Sequence, residues 1–309
     1  MTVKQEFWQE EAVPLSAALV AHIAERRGLR CLIIKGPAAV AAGMRPARPS
    51  ADTDVLVHPA DFEALCAALA ERGWESRPFE DGVGTPKHSV TLYHPQWPTD
   101  LDVHFRFPGL DADEAASFEA LARAGTTHGF AGRRAPVPDV RGHFIIQATH
   151  AIRNVASVPF RAAGQADFDH LVARPDLPAW SELLPLIEET GSLAALEPIL
   201  RKAYPESSEL EFPPPSEDWL LRNKATLPGA IKMHHLLSAP WRDKWSVLAR
   251  SLAPSVESLA ASDLALRTAD DASLALRRRA RLGRFLRQLP ATSRQVLEIR
   301  RATRRRTTN

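Results

Sequence analysis

Cysteine, tyrosine and methionine are scarce in this 309-residue chain, which has two, two and three of them. Cys31 and Cys66 each stand inside an apolar run, CLII and ALCAAL. Two such isolated residues exclude a disulfide framework and a paired-cysteine zinc site, and they read as small core residues in a reducing compartment. Long apolar runs are absent too. No uncharged stretch reaches the roughly 18–20 residues that a membrane-spanning helix needs. The opening MTVKQEFWQEE is polar and acidic, without an apolar signal core. The expectation is a cytoplasmic protein with no membrane partner. A dominant charge is also missing: 39 Lys and Arg against 37 Asp and Glu leave +2, so no whole-molecule field demands a polyanion.

What is present is an ordinary globular composition, 45% hydrophobic and 25% charged, at a length that suggests two domains. Apolar spacing predicts a helix over 14–27 closed by Gly28, a buried strand over 30–34, and a short Ala-rich helix reaching Gly43. The two prolines of RPARPS make 45–50 a loop. ADTDVLV reads as a second strand, and Pro59 opens a helix ending near Gly73. Further strands are expected at 88–93 and 100–105. From Asp139, a plausible N-cap, the periodicity turns helical, with helices expected over 139–155, 219–237 and 241–252 among others. The predicted architecture is α+β: a mixed-sheet domain over 1–138, a mainly helical domain over 139–260, and a basic helical tail over 261–309.

Chemistry concentrates in KGPAAVAAGMRPARPSADTDVLV. On a strand, residues two apart share a face, so Asp52 and Asp54 project together while Val55 and Val57 point the other way. Two close carboxylates call for a compensating cation, and magnesium, which keeps waters and takes one or two carboxylates plus substrate phosphates, suits a nucleotide site. In TDLDVHFRF the same alternation sets Asp100, Asp102 and His104 on one face. A third carboxylate from that strand would complete a triad holding two divalent ions. Asp102 is the stronger choice, with Asp100 the alternative if the register differs.

With Lys35-Gly36 ending a strand, Arg48 four residues before Asp52-x-Asp54, and Asp102 followed by His104, the chain resembles the bacterial uncharacterised nucleotidyltransferase family of the polymerase-β-like superfamily. The resemblance covers about residues 15–175 and takes in His150, Arg161 and Asp167 or Asp169. The better-known members of that superfamily carry Gly-Ser where this chain has Lys-Gly. The resemblance implies a polymerase-β-like nucleotidyltransferase domain followed by helices. It implies that Asp52, Asp54 and Asp102 hold two Mg2+ ions and carry catalysis, and that Lys35, Gly36, Arg45, Arg48 and His104 serve the nucleotide. The implied reaction moves a nucleoside monophosphate from an NTP such as ATP to a hydroxyl-type acceptor (small molecule, peptide or protein, or RNA end) and releases pyrophosphate. The alternative is a catalytically inactive nucleotide- or RNA-binding module of the same fold.

Several residues carry a plainer reading beside this one. His88 and His104, near strand ends, fit structural hydrogen bonding, and Arg161 with Asp167 fits an ion pair. His150 and Arg153 would matter if they face the cleft. His234-His235 diverge on a helix and do not suit one metal. The arginine blocks at 277–287 and 300–306 suit a solvated helix or, through phosphate contacts, an RNA partner.

Overall fold

Gly28, at φ 65°, ends the first helix in the left-handed conformation and sends the chain directly into a strand. The computed structural model describes residues 8–77, 87–157, 160–227, 229–252, 255–256 and 270–307. Helix α1 (Gln9–Arg27) begins one turn earlier than its apolar spacing suggests, because Glu11 reaches back to accept the Trp8 N–H at 2.9 Å. Strand β1 (Cys31–Ile34), helix α2 (Gly36–Ala41), strand β2 (Asp52–Val57) and helix α3 (Phe62–Ala70) follow. Then come β3 (Glu75–Ser76), β4 (Ser89–Tyr93), β5 (Asp100–His104) and helix α4 (Glu114–Arg123).

The sheet order is β1-β2-β5-β4-β3. Only the β2–β5 pair is parallel; the other neighbours run antiparallel, so the sheet is mixed. Its two faces differ. One face, with Ile33, Val55, Val57, Leu92, Leu101 and Val103, is buried against α1 and α3. Behind β2, Thr53 donates to the Val13 carbonyl at 3.1 Å and meets Ser16 at 2.7 Å, which pins α1 to the strand. On the other face Leu32, Ile34 and Leu56 join a second core.

A hairpin of β6 (Thr126–Phe130) and β7 (Arg133–Val137) lies outside the expected elements and packs on α1 and β1. Its two-residue turn holds Ala131 at φ 44° and Gly132 at φ 81°. Positive φ at both positions is the geometry that Asn-Gly or Asp-Gly usually marks, and Ala-Gly does not announce it.

Helices α5 (Val140–Ala156), α6 (Arg161–Val172), α7 (Trp180–Glu189) and α8 (Leu193–Ala203) supply the second core. Asp139 caps α5, accepting from the Gly142 N–H at 2.9 Å. Residue 138 marks a change of element type, and packing continues across it: by contacts, one compact unit comprises Met1–Ser76 with Lys87–Pro213, and the other Arg77–Pro86 with Pro214–Asn309. The second unit carries α9 (Glu217–Lys224), α10 (Ala230–Ser238), α11 (Lys244–Leu252) and α12 (Asp271–Thr307). The single helix expected over 219–237 is two, since Gly229 at φ 77° interrupts it. Residues 261–269 of the expected tail lie outside the described residues. Among the described residues, no helix is long and apolar enough to cross a membrane.

Candidate active site

Strands β2 and β5 are adjacent, parallel and paired so that Asp54 stands opposite Asp102 and Asp52 opposite Asp100. The alternation of both strands then brings Asp52, Asp54, Asp102 and His104 to one face, with Val55, Leu101 and Val103 buried on the other. Asp54 is 5% exposed and His104 1%. His104 Nε2 lies 3.0 Å from Asp54 Oδ1 and 3.1 Å from Asp102 Oδ2, so one imidazole bridges the two strands' carboxylates. The Lys35 amine forms an ion pair with the same Asp54 oxygen. From β4, Thr91 Oγ1 donates to Asp102 Oδ1 at 3.3 Å. One ligand atom from each of Asp54, Asp102 and His104 fits within 4.8 Å, the one such grouping of metal-capable side chains among the described residues.

These contacts set the protonation states. Burial alone would raise Asp54, but Lys35 and His104 outweigh it and hold the carboxyl below its ordinary value. Asp102 is held down against its own burial mainly by His104. His104 is raised: burial opposes its charge, and the Asp102 and Asp54 carboxylates overcome that. Without a bound cation, the imidazolium and the Lys35 ammonium are therefore the counter-ions of the acid pair. Asp52 differs. It is exposed at the rim, outside the tight grouping, and desolvation together with Asp54 pushes it up to about 6.

The family model for uncharacterised nucleotidyltransferases matches residues 11–203. The chain belongs to that family. The match takes in the whole acid cluster, the Lys35-Gly36 turn and helices α5 to α8, so the family unit and the first compact unit nearly coincide. No curated protein matches. Two solved structures show partial likeness. One is an antigenic nucleotidyltransferase-like protein from Paracoccidioides brasiliensis, 15% identical, with TM-score 0.40 over 65% of this chain and 92% of its own. The other is a tRNA-processing enzyme in an apo form, 16% identical, with TM-score 0.29 over 97% of this chain and 91% of its own.

Around the acids of this family member stands a group of cations. Lys35 caps α2 at φ 57°, followed by Gly36 at φ 46°. A Cβ on Gly36 would meet Ser50 Oγ at 3.3 Å, and Arg45 Nη1 donates to that same hydroxyl at 2.9 Å. Burial lowers Arg45, with the neighbouring Arg48 adding to the effect and Asp167, Asp52 and Asp54 opposing it. On α5, His150 is held well below its ordinary value by burial and by the charges of Lys35, Arg153 and Arg45, which places the half-buried imidazole in the same electrostatic neighbourhood. Its ring nitrogens lie 3.3 and 3.5 Å from Asn154 Nδ2.

Arg48 has a specific partner. It donates twice to Asp167 of α6, at 2.5 and 2.7 Å, and Asp167 is fully buried. Gln147 of α5 adds a third hydrogen bond to that carboxylate at 3.0 Å. The pairing of Arg161 with Asp167 expected from sequence does not form: Arg161 donates to the Val155 carbonyl at 3.2 Å, because the two residues lie six apart on one helix. Asp169 accepts from Gln165, and the His88 ring lies 5.6 Å from that of His104. His234 is buried in the second unit, 3.5 Å from Glu217. Sequence reading overlooked Thr91 and Gln147. The alternation Ser89-x-Thr91-x-Tyr93 was the available sign for Thr91. Gln147 gave no sign, since a glutamine amid buried helix residues announces no partner.

Proposed function

We propose that this chain is a magnesium-dependent nucleotidyltransferase that moves a nucleoside monophosphate from an NTP to a hydroxyl-type acceptor and releases pyrophosphate. The observation that carries the reading is the in-register parallel pairing of β2 with β5, which sets Asp54 beside Asp102 with Asp52 one pleat along the same face. The donor chemistry fits a hard divalent ion: carboxylate oxygens from Asp54 and Asp102, with Asp52 at the open rim. His104 spans the two acids through Nε2 and stands within the same group of possible ligand atoms. When bound, such ions neutralise the acids and stabilise the charge of the transferring phosphate.

The remaining tasks fall to the chain's own groups. Asp102, oriented by Thr91, would accept a hydrogen bond from the acceptor hydroxyl and aim it at the phosphate. Lys35 and Arg45 supply positive charge for the triphosphate, and Gly36 leaves the backbone open beside Ser50. Arg48 gives two N–H groups to Asp167, so its first task is to hold the loop before β2, and its remaining N–H groups would be the ones available to a nucleotide.

The test is incubation with each α-labelled NTP, Mg2+, and cellular RNA, protein and small-molecule fractions in turn. Label should appear in one fraction with matching pyrophosphate, and Asp54→Asn should abolish both. Transfer that persists in the Asp52→Ala, Asp54→Ala double variant refutes the assignment. Nucleotide binding without transfer to any fraction would mark an inactive module instead.

A further inference from the structure

Helix α12 holds twelve arginines and no lysine, and after Asp271 its one acidic residue is Glu298. It is not a loose tail. Leu274, Thr292, Val296 and Ile299 form a buried inner face, and Ile299 packs with Leu220 and Leu221 of α9. Gln295 accepts the Leu227 N–H at 3.1 Å and donates to Thr226 Oγ1 at 3.1 Å. A Cβ added to Gly229 would sit 2.5 Å from the Phe285 ring, so helix and turn meet too closely there for any larger residue.

With the inner face docked, the outer face is a fixed array. Arg279, Arg287, Arg294 and Arg301 are all exposed on it. The last three recur every seven residues, about 10.5 Å apart, and the row runs roughly 33 Å in all. Guanidinium groups suit phosphate oxygens, which they bind through paired N–H groups. Leu276, Leu282, Leu286 and Leu297 of the same helix are exposed as well, so a membrane surface is the rival partner, which the vesicle measurement below separates from RNA. The same unit leaves Trp241 and Trp245 75% and 77% exposed, with the Arg242 guanidinium 5.6 Å from the Trp241 ring centre. Exposed indoles, one of them with a guanidinium over its ring, offer stacking platforms for unpaired bases.

We infer that the second unit binds single-stranded RNA, with phosphates along the Arg279–Arg301 row and bases on Trp241 and Trp245. RNA held this way would be the acceptor class of the transferase, a step that rests on the function proposed above; the binding does not.

The test uses the full chain and a fluorescent single-stranded RNA of roughly twenty nucleotides, titrated across a series of salt concentrations. Replacing Arg279, Arg287, Arg294 and Arg301 by Gln should flatten the slope of log affinity against log salt by roughly 3, and weaken binding on the order of a hundred-fold at 0.1 M salt. The matching Lys variant should keep the slope. Trp241→Ala with Trp245→Ala should weaken binding roughly ten-fold or more with the slope unchanged. All of these substitutions are on exposed side chains, and circular dichroism will show that the helices persist. Asp54→Asn should bind RNA as the wild type does, so a failure of catalysis leaves this result readable. Unchanged RNA affinity in the four-Gln variant overturns the inference. So does binding to phosphatidylglycerol vesicles with no binding to RNA.

Discussion

Lys35 occupies a backbone conformation, φ 57° and ψ −152°, that side-chain-bearing residues avoid at a cost of about 1–3 kcal/mol. What holds it there is the ion pair with Asp54, made by an amine that is itself buried. The two acids of β2 therefore respond oppositely to neutralisation. In chelator at about pH 8, Asp54→Asn strands the buried Lys35 ammonium, and should cost about 3 kcal/mol. Asp52→Asn removes a carboxylate ionised against its preference. Because that carboxyl is raised to about 6, its unfavourable contribution is fully present above pH 6 and fades as pH falls toward 3.8. The Asp52 variant should melt higher than wild type and the Asp54 variant lower, by scanning calorimetry; a shift of both in one direction contradicts the charge assignment. Adding Mg2+ should raise the wild-type melting temperature and leave Asp54→Asn where it was.

At the scale of elements, the Arg48–Asp167 pair joins the loop before β2 to α6, and Gln147 ties it to α5. Arg48→Ala leaves a fully buried carboxylate with only an amide for company, and should cost about 3–5 kcal/mol in urea denaturation. An Arg48→Met, Asp167→Leu double variant should recover most of that loss. If the double variant is as unstable as the single, the pair is not an isolated charge couple. A second element-scale effect lies at the start of α5. His143 is 2% exposed, and burial lowers it to about 4 against the pull of Asp139. A depressed histidine stabilises the fold above its unfolded pKa of about 6.5, and that stability drains away as pH falls toward 4. Between about pH 7 and pH 5 the wild type should lose about 2 kcal/mol more than His143→Leu. Equal losses would show that another group governs this window. The strands bearing the acids were readable because alternation is local to each. The β6–β7 hairpin was not, since Ala131 adopts a conformation its residue type disfavours and only the packing on α1 and β1 makes up for it.

Over the whole molecule, the arrangement of cores decides what can stand alone. Leu32, Ile34, Met44 and Leu56 share one core with Phe144, Ile145, Ile187 and Ile199. A chain cut after residue 138 would expose one face of the sheet, whereas a chain cut after Pro213 keeps that core entire. The longer fragment should unfold cooperatively and the shorter one should aggregate or lack a thermal transition, by calorimetry and gel filtration. A stable fragment ending at 138 would show that the helices α5 to α8 form a separate domain.

Within the sequence alone lay the face that each carboxylate takes along its own strand, the Lys-Gly break after β1 and the arginine density of α12, because periodicity, backbone freedom and charge are local properties. Tertiary structure alone decided that β2 lies beside β5 in the register that sets Asp54, and not Asp52, against Asp102. It alone gave Arg48 to Asp167 and turned one row of arginines outward. Strand register and ion-pair choice are settled by contacts between residues distant along the chain, where burial and charge compensation act and no local pattern records the outcome.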